Sequence, residues 1–151
     1  MLRAKLNDAL KAAAKEGDKR ALSTVRLILA ALKDRDIAAR PKGKPDGIGD
    51  DEILELLQKM VKQRHESIEL YRRGQRADLV QQEEEEIQVI NRFLPQAMDE
   101  DATRAAVDAL MAELGAASIK DMGRVMAALK ERFAGRMDFA KASGIVKSRL
   151  A

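Results

Sequence analysis

Apolar residues recur along this chain every three or four positions and nowhere alternate, which predicts helices throughout and no strand. Leu2, Leu6, Ala9, Leu10 and Ala13 mark one face of a first helix, which Gly17 should end. Asp18 can cap a second helix that turns Leu22, Val25, Leu29 and Leu32 inward. Residues 41–49, with two prolines and three glycines, break the pattern and read as a mobile loop. A third helix begins at Asp50, carries Ile53, Leu57, Met60, Val61, Ile68 and Tyr71 as its stripe, and stops at Gly74. At 1.5 Å per residue it is roughly 36 Å long. Asp78 is the expected cap of a fourth helix that passes through Ile87 and Ile90 to Phe93 and Leu94. Pro95 closes it, because the residue before a proline is pushed out of helical geometry.

A boundary at about Gln96 divides the chain into residues 1–96 and 97–151. In the second part Asp99 caps a helix that buries Val107, Leu110, Met111 and Leu114 and stops at Gly115. Ser118 starts the next, with Asp121 three residues on in a capping-box arrangement and Met122, Val125, Met126, Leu129 and Phe133 inward. Gly135 terminates it, and Asp138 caps a last helix that buries Phe139, Ala142, Ile145, Val146 and Leu150. The expected fold is all-α: an N-terminal bundle of about four helices plus a small C-terminal three-helix domain. Composition agrees, since 46% of residues are hydrophobic but only 3% aromatic, and helix-forming residues dominate.

Charge changes the picture more than composition does. The formal net charge is only +3. Residues 1–44, however, carry twelve Lys/Arg against five Asp/Glu, and residues 115–151 carry eight against three. Acids collect between these ends, notably at residues 83–86. Basic ends on a nearly neutral chain suit an anionic partner. The 83–86 glutamates follow closely on Arg64, Arg72, Arg73 and Arg76, so pairing across a helical hairpin is their simplest use.

The candidate site lies in the tail. Lys120 and Arg124 are four residues apart, on the face opposite the apolar stripe, and Gly123 lies between them. A glycine inside a helix costs roughly 1 kcal/mol relative to alanine. It persists where something large approaches closely, and that could be another helix of the fold or a phosphate backbone. Gly144 invites the same two readings. Arg136, Lys141, Lys147 and Arg149 extend the basic character, without the aromatic platform that single-strand stacking needs. The RNA-binding candidates are therefore Lys120, Gly123, Arg124, Arg136, Lys141 and Lys147.

Several chemistries lack residues. With no cysteine and one histidine, thiol catalysis, thiolate metal sites and conventional triads are excluded. His65, at the edge of the long helix's stripe, reads as a partly buried structural residue. No phosphate loop followed by lysine and serine or threonine is present. No catalytic residue, metal site or cofactor is expected. The opening residues resemble neither a signal peptide nor a membrane span, so a cytoplasmic protein without membrane association is expected.

The chain resembles the GatB/YqeY family over nearly its whole length. The resemblance is carried by Leu27-Ile28-Leu29-Ala30-Ala31-Leu32-Lys33, Asp51-Glu52, Lys62-Gln63-Arg64, Glu66-Ser67-Ile68, Gly74, Arg76, Asp78-Leu79 and Phe93-Leu94-Pro95-Gln96. Its most specific part is Lys120-Asp121-Met122-Gly123-Arg124-Val125-Met126 followed by Gly135-Arg136. The resemblance implies two helical units, the second similar to the tail of GatB. GatB is a subunit of the glutamine-dependent amidotransferase acting on mischarged glutamyl- or aspartyl-tRNA, and its tail is associated with holding tRNA. Gly123, Val125, Met126, Gly135 and Arg136 match the shared tail pattern, with an interval from Met126 to Gly135 about one turn longer than in GatB.

Together these point to a non-catalytic accessory module that binds folded RNA, tRNA above all, through a basic C-terminal face. An adaptor docking on a translation-related protein complex is the alternative. Carbon–nitrogen ligase activity with glutamine as amido donor follows from the family label alone.

Overall fold

The computed structural model describes all 151 residues and contains seven α-helices and no strand. In chain order they are α1 (Leu2–Glu16), α2 (Lys19–Ala39), α3 (Asp50–Arg73), α4 (Ala77–Asn91), α5 (Glu100–Leu114), α6 (Met122–Phe133) and α7 (Phe139–Leu150). Single 3₁₀ turns follow α2 (Arg40–Lys42) and precede α6 (Ile119–Asp121). The chain forms two compact units, Met1–Pro95 and Gln96–Ala151. No helix is long and apolar enough to cross a membrane.

Most helix ends are written locally. Gly17 closes α1 in left-handed geometry (φ 71°), which a side chain would resist. Asp18 then accepts from the Ala21 amide at 3.0 Å and starts α2. Asp50, Asp51 and Glu52 occupy the first turn of α3, where the helix dipole favours negative charge. The start of α4 differs from expectation: Arg76 is the N-cap, and Asp78 lies inside the first turn. Its carboxylate is drawn back to the Arg76 guanidinium, at 3.1 and 3.0 Å, its strongest partner.

In the first unit α1 packs on α2, α3 on α4, and α2 on α4. Leu6, Ile28, Leu32, Ile53, Leu57 and Ile90 form the centre of the shared core. Ala13, Ala21, Val25 and Val89 form a smaller cluster of thin side chains. The loop after α2 is tied down more than its composition suggests. Ile48 is buried, its amide donates to Asp36 Oδ1 at 2.9 Å, and its carbonyl accepts from Arg3 at 2.8 Å. Arg3 also grips both Asp36 oxygens at 2.6 Å, so α1, α2 and the loop meet at one clasp.

The acidic run pairs across the α3–α4 hairpin as its position implies, through Arg64 to Glu86 at 3.0 Å and Arg72 to Glu84 at 3.5 Å. Arg20 of α2 joins it, at 3.0 Å from Glu85 and 3.9 Å from Glu86. His65 is exposed on the outer side of α3, not partly buried as its sequence position suggests. It lies one residue beyond Arg64, which takes the semi-buried place.

Candidate nucleic-acid interface

The second unit has a core of its own, made by Val107, Leu110, Val125, Leu129, Met137, Ala142, Val146 and Leu150. Around it most charged side chains have structural work. Asp99 caps α5 by accepting from the Ala102 amide at 2.7 Å, and Asp138 caps α7 by accepting from Ala140 and Lys141 at 3.0 and 3.2 Å. Asp121 accepts from the amides of Ala117 and Ser118 at 2.9 and 3.2 Å, completing the capping box ahead of α6.

The arginines are largely committed as well. Arg132 makes a two-pronged pair with Glu113 at 2.7 Å, joining α6 to α5. Arg149 does the same for α7 and α5 through Asp108, at 2.8 and 3.4 Å. Arg104 holds Glu100, and Arg124 reaches back to Asp121 at 3.1 Å. Arg136 acts mainly through its backbone: Gly135 before it adopts φ 79°, and the Arg136 carbonyl accepts from the Met98 amide at 2.8 Å. Its Nε donates to the Gln96 carbonyl at 3.4 Å. The Gly135–Asp138 stretch is thus a turn that ties residues 96–98, buries Met137 and starts α7.

What remains are lysines. Lys120, Lys130, Lys141 and Lys147 are exposed and make no ion pair. Lys120, Gly123, Ala127 and Lys130 follow one another at spacings of three, four and three, along the exposed side of α6 and the turn before it. On α7 Gly144 is flanked three residues either way by Lys141 and Lys147, with Ala140 and Ser148 one turn away. A Cβ added at Gly123 or Gly144 would meet nothing within 4 Å. Tight packing inside the fold therefore explains neither glycine. Both bare stretches of helix face outward between free cations.

The candidate residues thus sort into two groups. Lys120, Gly123, Lys141 and Lys147 lie on open faces, while Arg124 and Arg136 are partly engaged within the unit. Lys130 belongs with the first group, and its place seven residues after Gly123 was the readable signal. The unit as a whole carries nine Lys/Arg against eight Asp/Glu, so its basic character is a property of these faces and not of its total.

The clasps have a pH consequence. Hydrogen bonds from Arg149, Arg132 and the Ala117 amide hold Asp108, Glu113 and Asp121 below the usual carboxylate range. Carboxyls depressed in the folded state contribute stability that is present above their unfolded pKa and lost as pH falls through the folded one. The unit should keep its melting temperature down to the ordinary carboxylate values of 3.8–4.5 and lose it progressively below them. Thermal melts by circular dichroism between pH 6 and pH 2 would check this; a flat profile would contradict it.

Elsewhere, an open depression of about 820 Å³ lies beside the α3–α4 turn, lined by Arg72, Gln75, Arg76, Val80, Glu84 and Gln88 among others. Its guanidiniums are held by Glu84 and Asp78. No group of three or more His, Cys, Asp or Glu is placed to hold a metal ion.

The chain is similar to several known proteins. An uncharacterised protein of Schizosaccharomyces pombe is 30% identical over 96 residues, 64% of this chain and 71% of that one. Two proteins called altered inheritance of mitochondria protein 41, mitochondrial, are also similar. The one from Lachancea thermotolerans is 33% identical over 92 residues, covering 61% of this chain but only 46% of its own length. The one from Pyrenophora tritici-repentis is 30% identical over 135 residues, 85% of this chain and 71% of its own. Residues 3–150 match the family described as Yqey-like protein, so both helical units fall inside one family pattern, and the chain belongs to that family.

Proposed function

We propose that this protein is a non-catalytic accessory module that binds folded RNA, tRNA in the first instance, through the lysine-bearing faces of α6 and α7. One observation carries the reading: the four lysines of the unit stay unpaired beside two glycines that nothing in the fold covers. Ammonium groups on flexible stems suit phosphates, and an outward glycine, in the first turn of α6 and midway along α7, lets a sugar–phosphate backbone come close. Lys120, Lys141 and Lys147 supply the charge, with Gly123 as the point of approach. Arg124 and Arg136 take part only as far as their internal partners release them. With no aromatic side chain among these residues, recognition rests on backbone and shape, as a folded RNA offers. The cytoplasmic location expected from the sequence belongs to the same proposal.

The test is binding of bulk tRNA by fluorescence anisotropy at two salt concentrations. Each phosphate contact should contribute a log–log salt slope of about −0.7 to −0.9. Lys120→Ala/Lys141→Ala/Lys147→Ala should lower affinity at least about tenfold and flatten that slope by about 2 to 3. Lys5→Ala/Lys11→Ala/Lys15→Ala removes equal charge from α1 and should leave the tail's contribution intact. Gly144→Ala should stabilise α7 by about 0.5–1 kcal/mol and weaken RNA binding. Affinity that ignores both salt and the tail lysines would overturn the reading.

A further inference from the structure

The face of α2 turned away from the core carries a second periodicity that no part of the fold uses. Lys19, Arg26, Lys33 and Arg40 fall at intervals of seven residues. Such a spacing drifts only about 20° per step around a helix, so the four cations line one edge over roughly 32 Å. All four are exposed, and none closes an ion pair. Arg40 lies just past the last α-helical residue but keeps helical dihedrals (φ −55°, ψ −49°), so the edge runs unbroken. The Arg40 side chain acts inside the fold through its field at Asp36.

Beside this edge runs a row at spacings of three and four: Leu27, Ala30, Asp34 and Ile37. Leu27 and Ile37 are 48% and 47% exposed, although α2 already buries Val25, Ile28 and Leu32 on its inner side. An apolar row at heptad spacing with charge along its flank is the pattern by which one helix seats another. Asp34 interrupts the row and would fix the register by admitting only a polar residue opposite.

We propose that the outer face of α2 docks an acidic amphipathic helix of a partner protein, its aliphatic side chains against Leu27, Ala30 and Ile37 and its carboxylates along Lys19, Arg26, Lys33 and Arg40. Charge chooses this occupant over a second copy of the chain. Two α2 helices packed antiparallel through this face would set one cationic edge against the other, and packed parallel would offer the cations only Ala31 and Ala38. Folded RNA would satisfy the cations but leave the aliphatic row without a partner. No tail residue takes part, so this surface stands or falls separately from the RNA reading.

The probe is a labelled 24-residue helical peptide with leucine and alanine in the seam, one asparagine at the seam position opposite Asp34 and glutamate at both flanking positions, titrated with the full chain at low and moderate salt. Saturable binding should weaken about tenfold or more in Arg26→Glu/Lys33→Glu and in Leu27→Asp/Ile37→Asp, with helicity by circular dichroism unchanged. Reversing all four cations, in Lys19→Glu/Arg26→Glu/Lys33→Glu/Arg40→Glu, should instead give a chain that binds a peptide with lysine at the flanks. Absence of saturable binding, or equal binding by the variants, overturns the proposal. So does failure of the acidic peptide while Arg26→Glu/Lys33→Glu loses tRNA affinity, which would make the face an RNA surface. Concentration-dependent self-association abolished by Leu27→Asp/Ile37→Asp would overturn it in favour of a second copy.

Discussion

Gly47→Ala should destabilise the N-terminal unit by about 3 kcal/mol, although Gly47 is only partly buried. Two costs add. Gly47 sits at φ 94°, where an L side chain is strained. An added Cβ would also fall 2.4 Å from Asp36 Oδ1 and 2.6 Å from Arg3 Nη2. Both atoms end flexible side chains and could move, but moving them opens the clasp that joins α1, α2 and Ile48. Arg3 would lose its two-pronged partner, and the Ile48 amide would lose its acceptor. For a unit of this size the melting temperature should drop by roughly 10 °C or more. Thermal melts of Gly47→Ala beside Gly43→Ala decide the matter. Gly43 shares the left-handed geometry (φ 84°) but has open space around it. Equal losses in the two variants would show that strain alone matters and the clasp does not.

Glu86→Ala should cost the same unit about 3 kcal/mol, because it strands a charge where water has little access. The Glu86 side chain is 8% exposed and the Arg64 side chain 14%. Arg64 Nε donates to Glu86 at 3.0 Å and its Nη1 to the Met60 carbonyl at 3.2 Å. Removing the carboxylate leaves the guanidinium with a single backbone acceptor and Arg20 as a like-charged neighbour, with only the field of the half-buried Glu83 in partial compensation. Arg20 itself keeps Glu85, so the loss concentrates on Arg64. Replacing both members by apolar residues of similar volume, as in Arg64→Met/Glu86→Leu, should recover most of the stability, since neither charge then needs desolvating. Urea denaturation of the two singles and the double gives the coupling directly. A double variant as unstable as the two single losses added together would mean that the pair contributes through packing and not through charge.

Much of the fold was legible because its signals are local. Gly17, Asp18, Asp99, Gly115 and the Ser118–Asp121 pair mark helix ends through contacts within a few residues, and these contacts form as read. Asp78 shows where local reading fails. Its type and place suit a cap, yet a neighbouring arginine two residues back offers a stronger partner than a backbone amide. His65 failed for a different reason. Positions at the edge of an apolar stripe turn inward or outward according to which neighbour reaches the gap first, and Arg64 reached it through Glu86.

The candidate site was legible as positions and not as chemistry. Sequence spacing places Lys120, Gly123 and Arg124 on an outward face, but all cations look alike in a string of letters. Their difference arises from partners 19 residues away for Arg132 and 41 away for Arg149. These internal pairs remove arginines from the list of free cations and leave the lysines. The same holds for the two helical glycines. Whether a glycine admits another helix of its own fold depends on what lies above it, and at Gly123 and Gly144 nothing does.

By itself, the sequence determined the all-helical class, most helix ends and the inward stripes, because periodicity, capping and glycine geometry act over one or two turns. Only the tertiary structure decided which charges neutralise each other, that the loop before α3 is pinned at Ile48, and which helical faces stay open. Those outcomes depend on distances between residues far apart in the chain, and such distances exist only once the helices have packed.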